Sequence, residues 1–167
     1  MPILPYLEHT PEVGNGVSLA DDAWLVGNVH LAGPARLESS AVARADQNGV
    51  VIGARFRMGR RSSIHVERHT STRVGANVWL GDDVVVHATT LGDGTRVENG
   101  GLVLSTSQVG AGSIVAADAL VSEGVEFPEN SYISGTPGRR VRETTPEERE
   151  ETLRMLAAAL EMESLER

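Results

Sequence analysis

The chain has 167 residues with 15 Lys and Arg against 23 Asp and Glu, a formal net charge of -8, and so lacks the basic stripe that a nucleic-acid surface needs. With 18 glycines and only two each of Trp, Tyr and Phe, it is poorly supplied for a conventional aromatic core. It has no cysteine, which excludes disulfides and thiolate ligands, and no apolar run long enough to span a membrane.

Residues 1–12 read as an N-terminal lead-in that covers the first turn of a repeat region. Their start, MPILPYLEHT, lacks the basic residues and apolar stretch of a secretory signal, so cytoplasm is the expected location. From Val13 an aliphatic residue recurs every sixth position: Val13, Leu19, Leu25, Leu31, Leu37 and Ala43. After a three-residue slip it continues at Ile52, Met58 and Ile64. It then runs Val74, Leu80, Val86, Leu91, Val97, Val103, Val109, Val115, Val121, Phe127 and Ile133. The residue after an anchor is often small, as in Gly75, Gly81, Gly92, Gly110 and Ala116. A six-residue repeat of this kind predicts a parallel β-helix over residues 13–138, in which three hexads close one triangular coil and anchors eighteen residues apart stack inward. About twenty hexads give roughly seven coils, each rising about 4.8 Å.

The run Ser134-Gly135-Thr136-Pro137-Gly138 ends the repeat with turn residues, and residues 139–167 form a connector and a C-terminal α-helix. Thr145 is a good N-cap, Pro146 suits the first helical position and Glu148 completes a capping box. Leu153, Leu156, Ala157 and Leu160 predict the apolar stripe of this helix. The expected fold class is therefore all-β, a parallel β-helix of hexapeptide repeats with a C-terminal helix.

The repeat breaks in three places, all at the same corner. Three extra residues follow the Ala43 unit, four follow the Ile64 unit around Thr70 to Arg73, and the Val86 unit is one residue short. On that face the slot after the anchor holds Arg44, His65 and His87 in successive coils, where most other units hold a small residue. Two imidazoles thus stack one strand spacing apart above a guanidinium. Such a pair can share a metal, or can be structural.

This arrangement resembles the gamma-class carbonic anhydrases over nearly the whole chain. The family's Leu-Arg-Gly-Asp segment appears as Ala43-Arg44-Ala45-Asp46, its Ile-His-Val as Ile64-His65-Val66, and its Ile-Gly-His-x-x-x-x-His as the segment from Leu80-Gly81-Asp82 to His87. Its closing Gly-x-Pro-Ala-x-x-x-Arg appears as Gly135 to Arg142. The resemblance implies a left-handed coil and a homotrimer. It also implies an intersubunit site for zinc or another divalent metal on His65, His87 and the partner subunit's Asp82, with Arg44 and Asp46 in the catalytic pocket as a match to the family's intersubunit ion pair. The substrate would be carbon dioxide or bicarbonate, with no nucleic acid or membrane partner.

The chain departs from the family where Asp82 stands in place of the third His and Gly59-Arg60 in place of a Gln-Asp pair. Arg60 shares the hexad phase of Asp82 one coil below. The alternative is thus a non-catalytic trimeric scaffold in which an Arg60–Asp82 salt bridge replaces the metal. A third reading is acyl transfer, with His65 or His87 as general base and acyl-coenzyme A along the coil.

Overall fold

The computed structural model describes residues 2–161. The remainder of the expected C-terminal segment, 162–167, lies outside the described residues. The hexads close into a parallel β-helix with three faces, followed by one α-helix, α1, spanning Pro146–Glu161.

The first face, the helix face, stacks Val17–Leu19, Ala35–Leu37, Phe56–Met58, Val78–Leu80, Arg96–Val97, Ile114–Val115 and Ser131–Ser134 in parallel, and the antiparallel strand Arg139–Glu143 closes its edge. The histidine face stacks Ser63–His65, Val85–His87, Leu102–Val103 and Leu120–Val121 above the first halves of Trp24–Leu31 and Val42–Ile52. The second halves of those two long strands turn the corner into the polar face, continued by Thr72–Val74, Thr90–Leu91, Gln108–Val109 and Glu126–Phe127. Residues 3–4 of the lead-in add a strand beneath Leu25 and Val26 on the histidine face.

Anchors stack in register, as Leu37, Met58, Leu80, Val97, Val115 and Ile133 do along the helix face. From Leu25 onward each is buried, and full burial of each aliphatic anchor stabilises the coil by about 1.5–3 kcal/mol. Val13 and Leu19, read as inward anchors, stay 37% exposed and half-buried because they sit in the lowest turn of the coil. One corner repeats a left-handed backbone at Ser40, Arg61, Asp83, Gly100 and Asp118, coil after coil. Asp, Asn and Gly suit it because they tolerate positive φ best.

The residues that point outward differ sharply between faces. The polar face presents Glu12, His30, Val51, Arg73, Thr90, Gln108 and Glu126. The helix face presents Arg36, Arg57, Trp79, Arg96, Ile114 and Tyr132, and α1 lies along it. The histidine face presents Trp24, Val42, Ser63, Val85, Leu102 and Leu120, and no described element covers this apolar column.

The expected capping box forms, with Glu148 N–H donating to Thr145 Oγ1 at 3.2 Å and Thr145 N–H to Glu148 Oε2 at 2.9 Å. The stripe of α1 differs from expectation. Leu156 and Thr152 are buried, whereas Leu153 is 44% exposed. The reason is Arg96, buried beneath the helix, which draws Glu151 (3.0 Å) and the Met155 sulfur (3.4 Å) onto the coil and rotates Leu153 outward. No helix among the described residues is long and apolar enough to cross a membrane.

Candidate functional site

His65 and His87 follow the inward anchors Ile64 and Val86, so the alternation of a strand turns both imidazoles outward at the same corner. They are direct register partners, with ring centroids 5.3 Å apart and planes inclined by 35°. Arg44 occupies the equivalent slot one coil below, its NH2 3.1 Å from His65 Nε2.

The corner insertions build the rest of the site. The slip after Ala43 lies between Gly27 and Val29 of the paired strand, and it places Asp46 beside His65. The longer excursion after His65 is pinned by a bridge between Glu67 and Thr70, two or three residues before the position read from the repeat. Thr72 is already back in strand because its hydroxyl donates to His65 O at 2.6 Å. His69, on this excursion, is exposed and away from the pair.

The two imidazoles are held differently. His65 Nε2 lies 2.9 Å from Asp46 Oδ1, and Asp46 Oδ2 lies 3.4 Å from Arg44 Nε. Burial alone would raise the Asp46 carboxyl. The hydrogen bond from His65, a backbone amide and the Arg44 charge outweigh it and hold the group below the usual carboxylate range. Arg44 and Asp46, the residues matched to the family pocket, thus pair with each other within one chain and against His65. His87 instead turns Nδ1 inward, 3.0 Å from Ser105 Oγ, and Ser105 donates to Glu67 Oε1 at 2.6 Å. Glu67 and Ser105 were not found by sequence reasoning. The available signal was spacing: His65-x-Glu67 repeats Arg44-x-Asp46 one coil higher, so each carboxylate stands below the next imidazole.

Asp82 lies at the opposite edge of the histidine face, where the chain turns in from the helix face. The turn at Asp83 and the strand Val85–His87 separate it from the His87 imidazole of its own chain, a path of roughly 15 Å. Consistent with that distance, no group of three or more His, Asp or Glu among the described residues of one chain is placed to hold a metal ion. The Arg60–Asp82 salt bridge is corrected by the structure. The guanidinium that reaches Asp82 belongs to Arg57, at 3.2 Å, while Arg60 contributes its backbone N–H at 2.9 Å and keeps its side chain exposed. The Arg57 guanidinium carbon lies over the Trp79 ring, 4.4 Å from its centroid, and the side chain donates to Leu80 O at 2.8 Å, a path that carries it to the corner. Gly59 closes the remaining space, since a Cβ there would stand 2.1 Å from Gly81 O and 2.6 Å from Asp82 Oδ1. The family's Gln has no room at this position.

The donor chemistry of His65, His87 and Asp82 suits a divalent ion. Two imidazoles on one tetrahedral zinc, with Zn–N near 2.1 Å, have centroids about 5 Å apart, close to the separation seen here. His87 keeps Nε2 outward. Asp82 accepts both its bonds on Oδ1, leaving Oδ2 for a ligand. His65 is the one donor that must exchange a partner, releasing Asp46. Two nitrogen donors and a carboxylate are an ordinary set for zinc and its neighbours.

No protein-family model matches the chain. It is 30% identical to a protein of Methanocaldococcus jannaschii described as "Probable carbonic anhydrase", over 91% of this chain and 98% of that one. It is 28% identical to the mitochondrial gamma carbonic anhydrase 1 of Arabidopsis thaliana over 87% of this chain, and spans 55% of that relative's length. Among solved structures, a hexapeptide transferase family protein from Anaplasma phagocytophilum superposes with a TM-score of 0.91, at 24% identity and covering 96% of this chain and 95% of that one.

Proposed function

Because the chain belongs to the gamma-class carbonic anhydrase-like family of hexapeptide-repeat left-handed β-helix proteins, we propose that it works as a homotrimer with a divalent-metal site in each of its three seams. Each seam would join His65 and His87 to the partner subunit's Asp82, with reversible hydration of carbon dioxide as the reaction.

One observation carries this reading: the stacked imidazoles stand on the one face that is both apolar and uncovered. α1 covers the helix face and the polar face suits water, so Trp24, Val42, Val85, Leu102 and Leu120 are the surface left for another subunit. A heterologous contact that repeats about a threefold axis closes after three copies and sets one edge of this face against the other edge of the next. That operation brings Asp82, too distant within its own chain, toward a neighbour's histidine pair.

When bound, a divalent ion supplies Lewis-acid activation of water at neutral pH. The chain's own residues do the rest. His87 presents Nε2 to the seam, Arg44 adds a cation suited to a bicarbonate anion, Asp46 holds Arg44 once His65 turns to the ion, and the apolar column keeps bulk water out. Elemental analysis of protein purified without chelator tests the reading. It predicts about one divalent ion per protomer together with hydration activity in stopped flow. Absence of metal after incubation with zinc or cobalt overturns it.

A second reading, a metal-free trimeric scaffold, is favoured by the Arg57–Asp82 pair and by the engagement of His65 Nε2 with Asp46. It predicts that Asp82→Ala weakens assembly and removes no activity.

A further inference from the structure

The excursion after His65 has an electrostatic consequence beyond the donor set. Glu67 comes from the coil of His65, His87 lies one coil above and Ser105 one coil above that. A regular hexad would have carried the chain around the corner before Glu67 could reach Ser105, 38 positions away in sequence. The Glu67–Thr70 bridge holds the excursion in place. The result is a short chain of polar atoms: Glu67 Oε1 to Ser105 Oγ at 2.6 Å, then Ser105 Oγ to His87 Nδ1 at 3.0 Å, with Glu67 Oε1 itself 3.7 Å from Nδ1.

Proton counting decides the direction of both bonds. A carboxylate only accepts, and the serine hydroxyl has one proton. At 2.6 Å from a charged acceptor, that proton goes to Glu67. Ser105 Oγ then has only lone pairs for His87, so the neutral imidazole must carry its proton on Nδ1 and its lone pair on Nε2. Ser105, whose Oγ is the central atom of this relay, is buried at 6% exposure, while the Glu67 side chain is 46% exposed.

We propose that Glu67 and Ser105 are positioning residues that fix the Nδ1–H tautomer of His87 and aim its Nε2 lone pair into the seam. The assignment draws on the metal reading only for the use of that lone pair. The tautomer itself belongs to the metal-free protein. A hydrogen-bonded carboxylate or hydroxyl behind a ligating imidazole fixes its ring and raises its donor strength, and losing it commonly weakens metal binding by about 10–100-fold.

The test is nitrogen-15 spectroscopy of the chelator-treated full chain with labelled histidine, under conditions where imidazole is neutral, with the His87 signals assigned from His87→Gln. Wild type should show His87 protonated at Nδ1 and bare at Nε2. Ser105→Ala combined with Glu67→Ala removes both acceptors within reach, since Glu67 Oε1 itself stands 3.7 Å from Nδ1. Glu67→Ala alone removes the acceptor of the serine proton, which is then free to be donated to Nδ1. Both should move the His87 proton to Nε2, while Ser105→Thr, which keeps the hydroxyl, should retain the wild-type pattern. Zinc titration of the same proteins should show affinity lower by about 10–100-fold in Glu67→Ala and in the double variant, and near wild type in Ser105→Thr. A wild-type His87 protonated at Nε2, or a tautomer unchanged in both variants, overturns the assignment. Wild type that takes up no zinc but shows the expected tautomer shifts leaves the assignment standing and removes the metal reading. Zinc binding with unmoved tautomers does the reverse.

Discussion

Replacing Asp82 by Ala in metal-free protein separates its structural contribution from its proposed one. The carboxylate accepts from Arg57, whose side chain is only 12% exposed, and from the backbone of Arg60. Burial pulls the Arg57 guanidinium below its ordinary value, and the nearby Asp82 and Glu38 charges resist that pull. Without Asp82, Arg57 retains Leu80 O and a Glu38 oxygen at 3.8 Å that Arg36 already holds at 3.0 Å. A hydrogen bond between charged groups contributes about 1.5–3 kcal/mol. Asp82 is 31% exposed, so solvent screening reduces this to about 1–2 kcal/mol. For a chain of this size the melting temperature should fall by about 3–6 °C. Thermal unfolding in chelator at fixed protein concentration, run as a double-mutant cycle with Arg57→Ala, should return a coupling energy of about 1 kcal/mol. Arg57→Ala alone should bind zinc at least as tightly as wild type, because the guanidinium charge beside the carboxylate repels a cation on its free oxygen, whereas Asp82→Ala should lose zinc. Coupling indistinguishable from zero, or Arg57→Ala binding zinc more weakly, would refute this picture of the corner.

Two further outcomes are expected from separate parts of the molecule. The hydrogen bond from Arg142 holds Glu148 at a pKa of about 2, below its ordinary 4.5, with the Thr145 amide adding to it against burial. A carboxylate with a depressed folded pKa stabilises the fold above its unfolded value. That contribution fades as pH falls from about 4.5 toward about 2. Glu148→Gln should therefore lower stability by about 1 kcal/mol at neutral pH and flatten the acid limb of the stability profile, as measured by urea unfolding. An unaltered acid limb would show that the capping box does not report on folding. On the histidine face, Val85→Asp places a charge in the centre of the apolar column, and sedimentation should show protomers in place of trimers; trimers that persist on dilution would mean the seam lies elsewhere.

The coil was legible because its signal is redundant. Each aliphatic anchor is tested by the anchors one coil away, and the slips at Ala43, Ile64 and Val86 mark the corner where the imidazoles stack. Side-chain reach is not redundant. Hexad phase aligns Arg60 with Asp82, but Arg57 arrives because Trp79 guides its guanidinium across one strand, a contact that phase does not encode. The Glu67–Ser105 bond joins positions 38 apart through an excursion whose length shows in the sequence and whose direction does not. The turn of α1 was misread for a related cause. Three leucines and an alanine define a stripe by composition, yet the buried Arg96 beneath it selects the side bearing Thr152 and Glu151.

The proposed function stands or falls on whether one chain's histidine pair meets another chain's carboxylate. Anomalous scattering at the zinc edge, from crystals of the assembled protein grown with zinc, addresses it directly. One peak per protomer is expected, about 2.0–2.2 Å from Nε2 of His65, Nε2 of His87 and an oxygen of the partner subunit's Asp82. A crystal in which the histidine face meets only solvent, or in which the peak is missing while Asp82 remains bound to Arg57, would contradict it.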